Sequence, residues 1–160
     1  MRGRPSNEWL IMLGGIVLLI FVFMRQVREV QGQGELAAVS GTVGSLRTAF
    51  VLHHLHLRAA LKPEPSDVEV RNPFLLLDHL PTNYRGEIRA AQADFVAPGS
   101  WVFDPECVCV GYLPLYSQWL DAPSGSNMVW LMVSPPPAPF QLNFREDYRW
   151  QGQTLDAFRP

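Results

Sequence analysis

Hydrophobic residues are concentrated in one uninterrupted run near the N-terminus. Residues 9–24 are apolar and contain no charged side chain. As an α-helix the run would extend roughly 24 Å, slightly less than the hydrocarbon core of a bilayer. Trp9 and Arg25 are placed to make up the difference at the two interfaces. The pattern predicts one transmembrane helix at residues 9–24, preceded by a cytoplasmic tail at residues 1–8.

Two other interpretations of this run fit less well. A secretory signal peptide would be followed by a small-x-small cleavage site, whereas the next residues are Arg25-Gln-Val-Arg-Glu-Val. A helix buried in a soluble protein would have to be covered on all sides by a small domain. Positive charges on the two sides of the run are nearly balanced, and a short tail is simplest to leave in the cytoplasm. We therefore expect the C-terminal domain in the periplasm, anchored to a bacterial inner membrane.

Proline positions divide the rest of the chain. Only Pro5 of the 14 prolines precedes residue 63. Because proline disrupts helix interiors, residues 9–62 are predicted as one long helix and residues 63–160 as a small extracytoplasmic domain. Within residues 25–62, apolar positions recur at alternating steps of three and four, which is typical of a one-faced helix. This packing stripe consists of Leu36, Val39, Val43, Leu46, Phe50, His53 and Leu57.

The stripe must contact either its own domain or a neighbouring helix in an assembly. The opposite face of the helix is expected to carry Glu35, Ser40, Thr42, Arg47 and Thr48. Glycine destabilises a helix interior by roughly 1 kcal/mol relative to alanine. We interpret Gly32 and Gly34 as a frayed or bent joint, and Gly41 and Gly44 as positions that permit close packing.

The C-terminal domain begins with a polar linker at residues 63–71. Asn72 and Pro73 are typical of a helix start, as cap and first residue. The core face of this short helix is predicted to consist of Leu75, Leu76, Leu77 and Leu80, and a turn at residues 81–86 ends it.

Four β-strands are predicted after this helix. Residues 100–104 and 107–113 form a hairpin, residues 127–133 a third strand and residues 140–144 a fourth, which follows a stiff proline-rich connector at residues 135–139. The last ten residues are expected to be a loosely held tail. The predicted class is α+β: a long N-terminal helix, half transmembrane and half amphipathic, packed on a small antiparallel sheet.

A spaced set of residues in the first part of this domain gives a family resemblance. It consists of Asn72, Pro73, Leu76, Pro81, Asn83, Tyr84, Gly86, Glu87, Pro98, Gly99, Trp101 and Asp104. Together with the layout of the long helix, the set resembles pilin-like accessory proteins of type IV pilus systems, most nearly the biogenesis proteins of the mannose-sensitive haemagglutinin (MSHA) pilus. The resemblance implies a non-enzymatic, minor pilin-like or pseudopilin-like protein. Its partners would be other pilin-like or secretion-assembly proteins and the lipid bilayer.

The chain departs from the family at the start of the apolar run. Typical prepilins carry a glycine just before that segment, then a phenylalanine and a glutamate. Here the segment begins Ser6-Asn7-Glu8-Trp9. We therefore expect that prepilin peptidase does not cut this chain, which favours a permanently anchored accessory protein over a subunit extracted into a fibre.

Few residues suggest chemistry. His53, His54 and His56 could bring two imidazoles to one helical face, but no zinc-type motif completes a ligand set. Cys107 and Cys109 would point to one face of a strand. They are interpreted as a local disulfide or as small buried residues. A redox-active pair is a third hypothesis.

Other functional signals are weak. No nucleotide-binding or nucleophile-elbow motif occurs, and Asp104, Glu106 and Asp121 are too scattered to indicate a carboxylate pair. The four C-terminal tryptophans, Trp101, Trp119, Trp130 and Trp150, are interpreted as core. A net charge of -2 does not suggest a nucleic-acid partner. We expect no cofactor, metal or catalytic site. The alternatives are a general single-pass scaffold unrelated to pili and an envelope redox or metal enzyme.

Overall fold

A computed structural model describes residues 5–59, 72–89, 95–134 and 141–155, apart from the side chains of residues 5–7, 57 and 58. The contacts divide the chain into two compact units, Met1–Ala37 and Ala38–Pro160. One helix, α1 (Pro5–Ala59), contributes residues to both. This long N-terminal helix is followed by a β-rich region, which confirms the predicted α+β class.

The helix α1 is longer at its N-terminus than predicted. It begins at Pro5 rather than residue 9, because proline is tolerated in the first helical turn. It ends at Ala59, and residues 60–62 lie outside the described part of the chain. The helix runs through Gly32 and Gly34 without interruption, so the frayed joint predicted there is wrong.

Two sheets form among the described residues of the second unit. The strands are β1 (Tyr84–Glu87), β2 (Ser100–Asp104), β3 (Cys109–Leu113), β4 (Leu120–Asp121), β5 (Val129–Val133), β6 (Leu142–Phe144), β7 (Arg149–Trp150) and β8 (Gln153–Thr154). The larger sheet has the order β1-β2-β3-β5-β6, and the smaller has the order β4-β7-β8. All pairings are antiparallel except β1 with β2, which is parallel. The larger sheet is therefore mixed rather than purely antiparallel.

The β2–β3 hairpin is present as predicted, but its second strand is shorter. Asp104 pairs with Cys109, and residues 105–108 form the turn. Cys107 therefore lies in the turn, and the prediction that it begins a strand is wrong. All of β2 is buried. Val102, Cys109, Met128 and Trp130 form one cluster of this core.

The second-unit part of α1 is buried along its packing stripe. Val43 and Leu46 are at most 1% exposed, and Val39 is also buried. Arg47 donates a hydrogen bond from its guanidinium to the Leu142 carbonyl oxygen of β6 at 3.0 Å. The second-unit part of α1 therefore packs on the sheet.

The ends of the stripe differ from the prediction. Leu36 and Phe50 are only half-buried, and the side chain of Leu57 lies outside the described residues. Glu35, which was expected on the opposite face, is buried instead. That expectation is wrong, because the buried face extends one residue further around the helix than the apolar residues alone indicate.

The short helix after the linker is a 3-10 helix, Pro73–Leu76, with Asn72 as its cap. Its buried residues are Pro73 and Phe74, whereas Leu75 and Leu80 are more than half exposed. The predicted leucine core face is therefore wrong. A single 3-10 turn has a period of 3.0 rather than 3.6 residues, and it ends before Leu80.

The C-terminal segment is more ordered than predicted. β7 and β8 pair with each other, and Trp150 and Leu155 are buried. The expectation of a loose tail is therefore wrong up to Leu155. The predicted linker at residues 63–71 and the proline connector at residues 135–139 lie outside the described residues.

Candidate interaction surface

The helix α1 has an outward surface, opposite its packing stripe, that is free of formal charge. We define the outer face as the exposed residues of positions 38–56: Ala38, Gly41, Gly44, Ser45, Thr48, Val51, Leu52, Leu55 and His56. The aliphatic members are unusually open, with Val51 at 52%, Leu52 at 50% and Leu55 at 54% exposure. A water-facing helix surface normally carries charged side chains, so this surface is unlike an ordinary solvent face.

The hydroxyl groups on and beside the outer face are already hydrogen-bonded, and so is the one charged side chain of this segment. Arg47 is the only Asp, Glu, Lys or Arg in residues 38–56, and it is half-buried and bonded to the sheet. Ser45 and Thr48 each donate a hydroxyl hydrogen bond at 3.0 Å to the carbonyl four residues earlier, on Gly41 and Gly44. Thr42 bonds to Ala38 in the same way. The outer face therefore presents mainly carbon to its surroundings.

The glycines of this face pack against no other part of the described chain. A Cβ built at Gly41 or Gly44 would meet nothing within 4 Å. The close packing predicted for these two positions is therefore not made within the described protein. Two glycines in a helix interior disfavour it by on the order of 2 kcal/mol, and among the described residues no packing at these two positions offsets this cost.

The first unit contains the apolar run of α1. Each large hydrophobic residue from Trp9 to Met24 is 48% to 74% exposed. By length and composition α1 is able to cross a membrane, and its most apolar window has no buried residue. Burial of this surface in a bilayer would remove the large apolar exposure.

Residues that carry the family resemblance form a structural network rather than a site. Asn72 is buried, and its side-chain oxygen accepts from the Phe74 amide at 3.1 Å. Its side-chain nitrogen donates to the Tyr84 hydroxyl and to a Glu87 carboxylate oxygen, both at 2.9 Å. The Tyr84 ring stacks on Phe74 with centroids 4.2 Å apart. Pro73 starts the 3-10 helix. The contacts of Asn72 and Phe74 with β1 hold this helix against the strand.

A second part of the motif ties β1 to β2. Asn83 donates its side-chain amide to the Gly99 carbonyl at 2.7 Å, and the Trp101 amide donates to the Asn83 carbonyl at 2.9 Å. Gly99 has φ +76° and lies against Leu115. A side chain is disfavoured there by both backbone and space. Gly86 also has a positive φ, at +93°.

The remaining motif residues close turns or fill edges. The Pro81 carbonyl accepts from the Tyr84 amide at 2.9 Å. Asp104 is buried, and its carboxylate accepts from the Glu106 amide at 2.8 Å, which stabilises the β2–β3 turn. Leu76 is half-buried, and Pro98 is exposed in a turn. The motif thus specifies how the sheet is assembled.

The two cysteines are joined in a disulfide that spans the β2–β3 turn. Cys107 is exposed and Cys109 is buried, so they do not share a face of one strand. Arg89 pairs with Glu106, the residue before Cys107, at 3.3 Å. The Arg89 guanidinium is therefore close to the residue that precedes Cys107. The sequence around the two cysteines does not show this cation, because Arg89 is distant along the chain.

Candidate metal and aromatic sites are not assembled. Within the described ranges, no three His, Cys, Asp or Glu side chains are grouped so that they could hold a metal ion. His53 and His54 are half-buried and His56 is exposed. All four predicted core tryptophans are at most 7% exposed, which confirms their interpretation as core.

The shifted pKa values have structural causes. Burial, and then the Glu87 carboxylate, raise the pKa of Tyr84, although the hydrogen bond from Asn72 opposes this. Burial alone would raise the pKa of Glu146, but the hydrogen bonds from Ser124 leave it below its ordinary value. These residues lie in the hydrogen-bonding network of the fold.

Burial raises the pKa of Tyr148 to about 12, with a further contribution from Glu146. Its hydroxyl accepts from the Trp130 amide at 3.0 Å. No local pattern in the sequence singled out this tyrosine, because its partner lies on another strand.

Comparison of the chain with protein-family models, curated proteins and solved structures found no match.

Proposed function

We propose that this protein is a non-enzymatic, minor pilin-like accessory protein of a type IV pilus or type II secretion-like assembly. Residues 9–24 anchor it in a bacterial inner membrane, and its C-terminal domain lies in the periplasm. It acts through protein–protein contacts made by the outer face of α1. The observation that carries the proposal is the absence of formal charge from that exposed face.

The outer face gains free energy when another surface covers it. Burial of the exposed halves of Val51, Leu52 and Leu55 would contribute on the order of 1 kcal/mol each. Because the neighbouring hydroxyls are bonded to their own helix, covering them leaves no donor unsatisfied. The desolvation cost that usually opposes burial of a helix surface is therefore small.

The chemistry of the face defines its partner. A charged partner surface would lose its hydration here without gaining an ion pair. The open Cβ positions at Gly41 and Gly44 allow a second helix to approach closely. The partner is therefore an uncharged apolar helix, and a subunit anchored in the same membrane can supply one alongside α1.

Two further observations support this function. The residues that resemble pilus accessory proteins hold the 3-10 helix and strands together, which agrees with a family whose motif is structural. The apolar run of α1 is long enough to be a membrane anchor. A general scaffold unrelated to pili shares the anchor but not the motif.

Co-purification of the full-length protein from its native membranes tests the proposal. We expect membrane-anchored pilin-like or secretion-assembly subunits to co-purify. Leu52→Glu should reduce their yield about tenfold or more, because a buried unpaired charge costs well over 1.4 kcal/mol. Gln118→Glu, at an exposed position outside α1, is the matched control and should leave the yield unchanged.

Equal losses in both variants, or no loss in Leu52→Glu, would contradict the role of the outer face. Recovery of membrane partners that belong to no pilus or secretion assembly would instead favour the general scaffold.

A further inference from the structure

The disulfide in the β2–β3 turn differs from a bond that holds a fold together. It closes a loop of only two sequence positions, from Cys107 to Cys109. The constraint that a disulfide places on the unfolded chain grows with loop length, so this bond stabilises the fold less than a long-range one would. The turn also has other support, since Asp104 accepts from the Glu106 amide and pairs with Cys109.

The backbone between the two cysteines adopts a conformation that its residue disfavours. Val108 has φ +54°, in the left-handed region that β-branched residues rarely occupy. Its carbonyl accepts from the Val133 amide at 3.1 Å. The closed turn therefore holds a local backbone cost that opening of the turn can relieve.

The two sulfur atoms are also unequal. Cys107 is exposed, whereas Cys109 is 1% exposed and belongs to the core cluster with Val102 and Met128. An incoming thiolate can therefore reach Cys107 but not Cys109. Such asymmetry, with one accessible and one shielded sulfur, allows attack at a single defined atom.

We propose that the Cys107–Cys109 disulfide is a thiol–disulfide exchange site for a dithiol. A thiolate of the dithiol attacks the Cys107 Sγ, and the bond to Cys109 breaks. Cys109 leaves as a thiolate and takes a proton from solvent. The second thiol of the partner then displaces Cys107, so that the partner becomes a disulfide and this protein a dithiol. This assignment does not depend on the outer face of α1.

Redox titration of the full-length protein in detergent tests whether the bond opens in the folded state. The probe is dithiothreitol in mixtures with its oxidised form, with free thiols trapped as mass-shifted adducts. Tryptophan emission reports folding, because Trp101, Trp119, Trp130 and Trp150 are buried. We expect two thiols to appear while the emission spectrum remains native. Thiols that appear only together with unfolding would overturn the proposal.

Single variants test the assignment of the attacked sulfur. Cys109→Ser leaves the exposed thiol of Cys107, and Cys107→Ser leaves the buried thiol of Cys109. In the folded proteins we expect a small aromatic disulfide to react with Cys107 at least about tenfold faster than with Cys109. Equal rates would overturn the assignment. Native tryptophan emission of both variants is the condition for the comparison, and the wild-type titration stands independently if either variant fails to fold.

Discussion

Asn72 uses both ends of its side-chain amide to join two elements. The oxygen caps the 3-10 helix, and the nitrogen bonds to Tyr84 and Glu87 of β1. An N-cap signal at Asn72 is visible in the sequence, since asparagine followed by proline is a typical helix start. The two contacts to β1 cannot be predicted from the sequence, because no local pattern indicates a strand at the position of β1.

Asn72→Ala should lower the free energy of unfolding by about 1–3 kcal/mol, since it removes the cap from the buried Phe74 amide and two hydrogen bonds to β1. Chemical denaturation of the detergent-solubilised protein measures the change. Tyr84→Phe keeps the stacking on Phe74 and removes one of the three bonds, so it should cost less. A larger loss in Tyr84→Phe than in Asn72→Ala would contradict the central position of Asn72.

Tyr148 should make stability fall at alkaline pH. Its folded-state pKa of about 12 lies above the ordinary value of 10.0, so the folded state keeps the proton longer than the unfolded state. The contribution is fully present below pH 10 and is lost as pH rises through 12.

Unfolding free energies measured between pH 9 and 12, for wild type and Tyr148→Phe, test this expectation. The variant should be less stable than wild type at pH 9, because the Trp130 amide loses its acceptor. The difference between the two proteins should shrink as pH rises. A constant difference would show that Tyr148 does not titrate in this way.

At the scale of elements, regular apolar patterns predicted structure well. The three- and four-residue spacing located α1 and its buried residues Val39, Val43 and Leu46. The apolar runs at residues 100–104 and 127–133 located β2 and β5. These patterns succeed because the alternation of buried and exposed positions in each element is visible in the sequence of that element.

Elements that depend on distant partners escaped prediction. β1 lies in Tyr-Arg-Gly-Glu, which has no apolar run, and it forms by pairing with β2. β7 and β8 are two residues each. Gly111 was assigned only to a strand, but a Cβ there would meet Trp130, Val102 and Met128 within 3.0 Å. These side chains fill the space above Gly111, and their positions depend on the register of the neighbouring strands.

The two faces of α1 should respond differently to truncation. Leu46→Ala should destabilise the fold by about 2–5 kcal/mol, since Leu46 is fully buried. Leu52→Ala is the matched control on the outer face and should change stability by less than about 0.5 kcal/mol. Thermal or urea unfolding in detergent measures both. Similar losses in the two variants would mean that the outer face is covered within the chain.

At the scale of the whole molecule, only part of the candidate surface was predictable. The near-absence of charge in residues 38–56 can be read from the sequence. The sequence does not show which side of the helix is left open, because Glu35 joins the buried face and Arg47 bonds to the sheet. The sequence predicts Gly41 and Gly44 as packing positions, but only the structure shows that their surroundings are open.

The central claim is that the outer face of α1 contacts an apolar helix of a membrane-anchored assembly subunit. Its most direct test is photo-crosslinking in intact cells, with a photoreactive amino acid in place of Leu52 and, as control, in place of Gln118. We expect position 52 to form a cross-link to a membrane-anchored pilin-like or secretion-assembly subunit, identified by mass spectrometry, and position 118 to form none with that subunit. Absence of any protein cross-link at position 52, while the full-length protein is present in the membrane, would contradict the account.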